Sequence, residues 1–309
     1  MNNEILVMFT MDVEPVTTDN TRVSGPKSNK EGEICVKNYI SAIGEYGYTP
    51  TFFIHPELGK VQSDFFLELQ SKGACLGLHL HTTKFIKKKY DCEMGGLSGE
   101  QQREILEIAI ELYKRYFGFR PELFRPGVFS ANDYTYKLLH ELGFKGGNIS
   151  VPGRIWPDKC AIWSGAYPYP HFAHPNFRQI PGDLPFVEIP LSVDFTQPLQ
   201  LHPLGFWHYF DLRPGDIYSK NNLAPRDHRL ILKNIVQQLA TDNPALKTIV
   251  IDTHNDFEYL DRSQESAQHL HTVLEEIEPE LKNYGLKPVN ATFNDALQKF
   301  LKIKMGEDL

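Results

Sequence analysis

The chain has little cysteine, and none of its four (Cys35, Cys75, Cys92 and Cys160) stands in a CxxC pair. A zinc knuckle and a dithiol redox motif are therefore excluded, and reduced thiols in a cytosolic compartment are expected. Long apolar runs are also lacking. The run from Ile5 to Phe9 is far short of the roughly 20 residues that span a bilayer. No basic n-region precedes it, so it reads as a buried strand rather than a signal peptide, and the expected location is cytoplasmic. A positive balance is missing too: 32 Lys and Arg against 39 Asp and Glu give a formal net charge of -7. That argues against bulk electrostatic binding of nucleic acid or anionic membrane. There is no GxSxG elbow, Walker loop or GxGxxG, which leaves serine-hydrolase, P-loop and Rossmann-dehydrogenase chemistry without a motif.

What is present is an ordinary globular composition, 41% hydrophobic and 23% charged over 309 residues, enough for one large domain or two smaller ones. Apolar periodicity predicts a strand at 5–10, a helix at 31–46, a strand at 51–54, an amphipathic segment through Phe65, Phe66 and Leu69 to Gly73, and a strand at 74–80. Ser98 and Gln101 form a capping box for a helix whose apolar face reads Ile105, Ile108, Leu112 and Tyr116. A strand at 123–124 and a helix at 132–142 follow. The pattern then dissolves at about 146–225, where all three tryptophans lie and only 187–189 reads as a strand. Regularity returns with a helix at 227–240, a strand at 248–252, a helix at 264–284, a strand near Val289 and a helix at 292–301. Alternating strands and helices imply a parallel sheet with helices outside, either a barrel or a doubly wound sheet.

Such folds carry their chemistry at the carboxyl ends of the strands. Asp12 and Glu14 follow the first strand, His79 and His81 end the third, Arg125 follows the fourth and His254 follows the strand at 248–252. Residues two apart on a strand share a face, so Asp12 aims with Glu14 and His79 with His81. Imidazoles with carboxylates form a ligand set suited to zinc, or to cobalt, nickel, manganese or iron. A carboxylate and a separate histidine could then act as base and acid in hydrolysis. Taken singly, each feature has a bland explanation, a cap for Asp12 or a salt-bridged strand end for Arg125; four of them at four strand ends point to a site. Lys84 and the basic residues Lys87, Lys88 and Lys89 suit an anionic substrate or a plain solvated loop. Trp163 and Trp207, on long loops, suit sugar stacking or core cover. His269 and His271 are expected at the surface of a helix.

In order along the chain, TMDVE, CLGLHLHTT, LFRPGVF and IVIDTH resemble the motifs of the polysaccharide deacetylase family, the NodB-type carbohydrate esterases, and in particular a subgroup with DVE and HLH patterns. The resemblance implies Asp12 as catalytic base, Glu14, His79 and His81 as metal ligands, Arg125 as the residue orienting the base and His254 as general acid. The chain departs from the family in having Thr83 where the second histidine usually lies, and glutamate rather than aspartate at position 14. The implied fold is a distorted (β/α) barrel of about seven strands, a single α/β domain over 1–309 with an irregular aromatic- and proline-rich insertion at about 146–225. The implied activity is removal of an N-acetyl or related N-acyl group from an amino sugar or polysaccharide precursor. The implied cofactor is a divalent metal, Zn2+ foremost, with Co2+, Ni2+, Mn2+ or Fe2+ as alternatives. Hydrolysis of a formamide or other small amide, and a catalytically inactive carbohydrate-binding protein, are the competing readings. The sequence leaves a homo-oligomer open.

Overall fold

The structure is a computed structural model that describes residues 3–17, 24–86, 88–202, 204–215 and 226–306. Lys87 lies outside the described residues. The long strands are β1 (Glu4–Val13), β2 (Pro50–Ile54), β3 (Cys75–Leu80), β4 (Leu123–Pro126), β14 (Thr248–Ile251) and β15 (Lys287–Asn290). Among the described residues between β4 and β14 lie nine strands of two residues: β5 (Gly146–Gly147), β6 (Ile155–Trp156), β7 (Ala161–Ile162), β8 (His171–Phe172), β9 (Val187–Glu188), β10 (Val193–Asp194), β11 (Gln200–Leu201), β12 (Trp207–His208) and β13 (Phe210–Asp211). The helices are α1 (Asn29–Gly44), α2 (Gly59–Ser71), α3 (Gly99–Phe117), α4 (Thr135–Glu141), α5 (His228–Asp242), α6 (Glu265–Asn283) and α7 (Phe293–Met305). No helix among the described residues is long and apolar enough to cross a membrane.

The main sheet has nine strands in the order β14, β1, β2, β3, β4, β5, β9, β8, with β15 added on β1. Every pairing is parallel except β8 with β9, and the sheet curls into a half-barrel whose path ends at β14 and β8. The distorted α/β barrel expected from the sequence is therefore the fold. Its strand count exceeds seven because β5 and β8 are too short to show periodicity, whereas β9 falls on the strand read at 187–189. The segment between β5 and α5 also carries a four-stranded sheet (β11, β12, β6, β7) and the pair β10 and β13. Its Trp163, Ala173, Phe186 and Phe210 join the same hydrophobic cluster as Val7, Tyr39 and Ile249.

The sheet's two faces carry different residues, and this alternation positions the site. On β1, Ile5, Val7, Phe9, Met11 and Val13 pack in one cluster with α1 and α6, while Leu6 and Met8 belong to a second cluster on the other face. Continuing that second face toward the carboxyl end gives Thr10, Asp12 and Glu14, all buried. The other strands follow the same plan. Phe52 and Ile54, Leu78 and Leu80, Phe124, and Ile249 and Ile251 turn toward the helices. The opposite parity carries Phe53 and His55, Gly77 with His79 and His81, Leu123 and Arg125, and Val250 with Asp252. Each strand thus starts apolar inside the half-barrel and ends polar.

Two sequence expectations shift. The capping box Ser98–Gln101 starts α3 and Gly118, at φ 79°, ends it, but the buried stripe is Ile105, Leu106, Ala109, Ile110, Tyr113 and Phe117, while Ile108 is exposed. The helix packs between α2 and the sheet, which rotates the covered stripe by about one position. His271 is not a surface histidine: it is buried, with its Nδ1 2.9 Å from Arg262 Nη2. His269 stacks on His228 with ring centroids 4.0 Å apart, because α5 packs on α6.

Candidate metal centre and catalytic site

Glu14, His79 and His81 converge: one ligand atom from each lies within 4.8 Å of the other two, and all three residues are buried. Glu14 Oε1 is 3.4 Å from His79 Nε2 and 2.9 Å from His81 Nε2. Donors about 2.1 Å from a tetrahedral cation stand about 3.4 Å apart, so this set fits a zinc-sized divalent ion. The far ring nitrogens fix the tautomers. His79 Nδ1 is 3.0 Å from Arg125 O and His81 Nδ1 is 3.0 Å from Glu93 Oε1, so each donates there and turns its Nε2 toward Glu14, where a bound cation would take the place of the proton that His81 shares with that carboxylate. Thr83, at the position where a second histidine usually lies, donates to Glu93 Oε1 at 2.6 Å and thereby supports His81 rather than joining the donors.

Three further residues set Glu14. Asn255 accepts its backbone N–H at 2.9 Å and donates to its carbonyl at 3.2 Å. Lys84 Nζ lies 2.9 Å from Oε2, and the Ser24 hydroxyl donates to Oε1 at 2.8 Å. Burial opposes the charge on Glu14, yet His81 and Lys84 hold its carboxyl well below the usual range. Lys84 lines the cavity as expected, but its ammonium is committed to Glu14.

Asp12 sits beside this triad, its Oδ1 3.8 Å from His79 Nδ1. Arg125 is fully buried, and its Nη1 donates to Asp12 Oδ1 at 2.7 Å and to Asp252 Oδ1 at 2.5 Å, while Nη2 donates to Thr10 Oγ1 at 2.8 Å. The guanidinium lies over the Phe53 ring at 4.2 Å. Gly77 makes room for that ring, since a Cβ there would come within 2.8 Å of it. Two carboxyls sharing one guanidinium nitrogen are driven apart in acidity. For Asp12, burial is outweighed by Arg125, His79 and His254, so it is held below the ordinary value. For Asp252, burial and the charge of Asp12 outweigh Arg125, so it is raised. Asp12 is thus the more readily ionised of the two. His254 is placed by backbone pairing past β14: Asp12 N–H donates to Thr253 O at 2.8 Å and Thr253 N–H to Thr10 O at 3.2 Å, which puts His254 opposite Asp12 on the cavity wall.

A cavity of about 850 Å³ opens over these strand ends and is lined by Asp12, His81 and His254 together with Trp156, Phe206 and Arg213. The tryptophans expected to meet substrate do not line it. Trp163 is fully buried and its indole donates to Phe129 O at 2.7 Å, bracing a turn in which Val128 and Phe129 have positive φ. Trp207 is half exposed on β12, whose alternation turns its neighbours Phe206 and His208 toward the cavity and Trp207 away from it. Trp156 occupies the place foreseen for them.

Sequence reasoning missed Glu93, Asp252, Asn255 and His55. Asp252 and His55 carry a legible signal, since each has the inward parity at a strand end. His55 is fully buried; among the described residues neither ring nitrogen has a hydrogen-bond partner, and burial drives it down to about 3, so it is neutral. Glu93 lies on the loop between β3 and α3, where no periodicity marks it. Replacing Glu93 with glutamine is expected to weaken divalent-metal binding by about 10–100-fold, because the tautomer and basicity of His81 depend on it; competition with a chelating dye measures this.

No protein-family model matches the sequence, and no curated protein matches it. Among solved structures, the chain is similar to a putative polysaccharide deacetylase from Mycobacterium smegmatis, with a TM-score of 0.50 and 16% identity over 94% of this chain and 95% of that one. It is also similar to Puue allantoinase, with a TM-score of 0.57 and 13% identity over 96% of this chain and 90% of that one. At these identities the likeness establishes the fold, a NodB-type half-barrel, over nearly the whole chain.

Proposed function

We propose that the protein is a metal-dependent hydrolase that removes an N-acetyl or related N-acyl group from an amino sugar or polysaccharide precursor, acting as one catalytic domain. The observation that carries this reading is the convergence of Glu14, His79 and His81, with both imidazoles tied back so that Nε2 faces inward, beside a carboxylate fixed by Arg125. A divalent cation held there would polarise the acyl carbonyl and make a water molecule more acidic. Asp12, ionised and oriented by Arg125, takes the proton from the attacking water. His254, in register with Asp12 and lining the same cavity, donates a proton to the departing amine. Arg125 keeps Asp12 from turning toward the imidazoles, and its own charge is shared with Asp252, so the base is not neutralised outright.

The cavity volume of about 850 Å³ favours a sugar over a formamide-sized amide, and a complete donor set favours catalysis over silent binding. The test is release of acetate, against formate, from a panel of acylated amino sugars with and without chelator. Acetate release that stops on chelation and returns with Zn2+ or Co2+ is expected; release indifferent to chelation would overturn the reading.

Proton competition gives this site a defined pH dependence. Burial opposes a charge on His81, but Glu14 and Glu93 outweigh it and push the imidazole to about 9. Because that value lies above the ordinary 6.5, the ion pair stabilises the metal-free fold fully below about pH 6.5 and ceases to do so as pH rises through about 9. Metal binding runs the other way, since the cation must displace this proton. Zinc affinity is expected to climb between about pH 6.5 and 9 with uptake of a proton by buffer, which calorimetry in buffers of different ionisation enthalpy reads directly.

A further inference from the structure

The cavity has a second pole that the hydrolytic chemistry does not use. Arg154 and Arg213 from the segment between β5 and α5, and Arg226 just before α5, line its wall. Arg154 is 3% exposed, and the side chains of Arg213 and Arg226 are 11% and 12% exposed. Arg213 Nη2 pairs with Asp211 Oδ2 at 2.8 Å, Arg226 Nη1 approaches Asp211 Oδ1 at 3.4 Å, and Arg154 Nη1 donates to Val128 O at 3.3 Å. Guanidinium groups gathered at a cavity wall, in a chain of net charge -7, mark a place built for an oxyanion, which their planar forks bind bidentately.

Two observations support that sign. His202 and His208, close to the arginines, are driven down to about 2 and about 3, by burial first and then by neighbouring charges that include Arg226 and Arg154; the nearby Asp211 does not reverse this for His208. Arg213 and Arg226 in turn hold the Asp211 carboxyl below the usual range against its burial. The corner is also coupled in space to the catalytic centre through one ring. The Phe129 centroid lies 5.6 Å from Arg125 Cζ, 5.2 Å from Arg154 Cζ and 5.9 Å from Arg213 Cζ. The arginine corner therefore stands across a single aromatic ring from the residue that holds the base. Trp156 stacks on Phe206 at 4.2 Å, giving the wall between the two poles an apolar surface.

We propose that Arg154, Arg213 and Arg226 bind an oxyanion carried by the substrate, a carboxylate or a phosphate on the same sugar whose N-acyl group faces Glu14, His79 and His81. The identity of the bound molecule as an acylated amino sugar rests on the hydrolase reading above; the anion site itself does not. Lys84, whose charge is offset by Glu14, is not its centre.

The test uses calorimetry on the zinc-loaded protein with three probes: neutral N-acetylglucosamine, N-acetylglucosamine 1-phosphate, and the uronic acid of N-acetylglucosamine. At least one anionic probe is expected to bind about tenfold or more tightly than the neutral sugar, with an advantage that shrinks as salt is raised. Preference for the phosphate or for the uronate alone identifies the source of the oxyanion. The Arg154→Lys variant keeps the charge but not the fork, and the paired Arg213→Gln and Asp211→Asn variant keeps the buried charge balanced; each is expected to lose most of the advantage. Equal binding of all three probes by the wild-type protein would overturn the proposal whatever the variants do. Acetate release separates the two ideas. Equal turnover of neutral and anionic sugars leaves the hydrolase reading intact and removes the anion site; selective binding of anionic sugars without release at any divalent metal does the reverse.

Discussion

Replacing Asp12 with asparagine is expected to slow acyl release by about 10²–10⁴-fold while leaving bound metal unchanged, the range over which a positioned general base contributes. Asparagine is nearly isosteric and can still accept from Arg125, so the scaffold of Thr10, Arg125 and Asp252 keeps its hydrogen bonds. What disappears is the carboxylate that Arg125 orients beside His79 and holds below its ordinary value. Asp252 cannot take over, because its Oδ1 is bound to Arg125 and burial with the neighbouring negative charge favours its protonated form. The expected signature is a fall in kcat with little change in KM, and metal analysis at wild-type stoichiometry. Full turnover in the variant would show that the proton goes elsewhere.

The second large effect comes from a glycine. A Cβ at Gly127 would lie 2.2 Å from His81 Nδ1 and 2.4 Å from Cγ, so the whole imidazole must move if alanine is introduced. His81 is wedged between Glu14 and Glu93 and has nowhere to go without giving up one of them. Metal sites tolerate ligand displacements of only about 0.2 Å. Gly127→Ala is therefore expected to lose metal binding by about 10²-fold or more and most activity with it, an effect comparable to deleting a supporting ligand contact. Circular dichroism should show the fold retained, since the clash is confined to the carboxyl end of the half-barrel. Wild-type metal affinity in this variant would mean that His81 is not where the structure puts it. The glycine of LFRPGVF thus has a steric reason that the sequence alone did not supply.

The same comparison shows what a single sequence can carry. Period-two alternation made Asp12 with Glu14, and His79 with His81, legible as pairs, because a strand's pleat forces residues two apart to one face. Arg125 and His254 each follow a strand in the sequence, and the structure brings both to Asp12 although β1, β2 and β3 lie between β4 and β14. Asp252 and His55 obey the same parity rule and were open to the same reasoning. Glu93 was not, since its place opposite His81 depends on the path of a loop with no repeat. The tryptophans failed for a related reason. On the irregular stretch nothing in the sequence says which way an aromatic turns, and Trp163 went into the core while Trp156 went to the cavity. The arginine corner lies in and just beyond that stretch, so it became visible only when β6, β12 and β13 folded its parts together.

The central claim is that Glu14, His79 and His81 hold a divalent cation, and calorimetric titration of Zn2+ into chelator-stripped protein tests it most directly. The account predicts a single equivalent bound by the wild-type protein, with binding lost in His79→Ala while circular dichroism shows the metal-free variant still folded. A wild-type protein that takes up no zinc, cobalt or manganese, or a His79→Ala variant that binds zinc as tightly as the wild type, would contradict it.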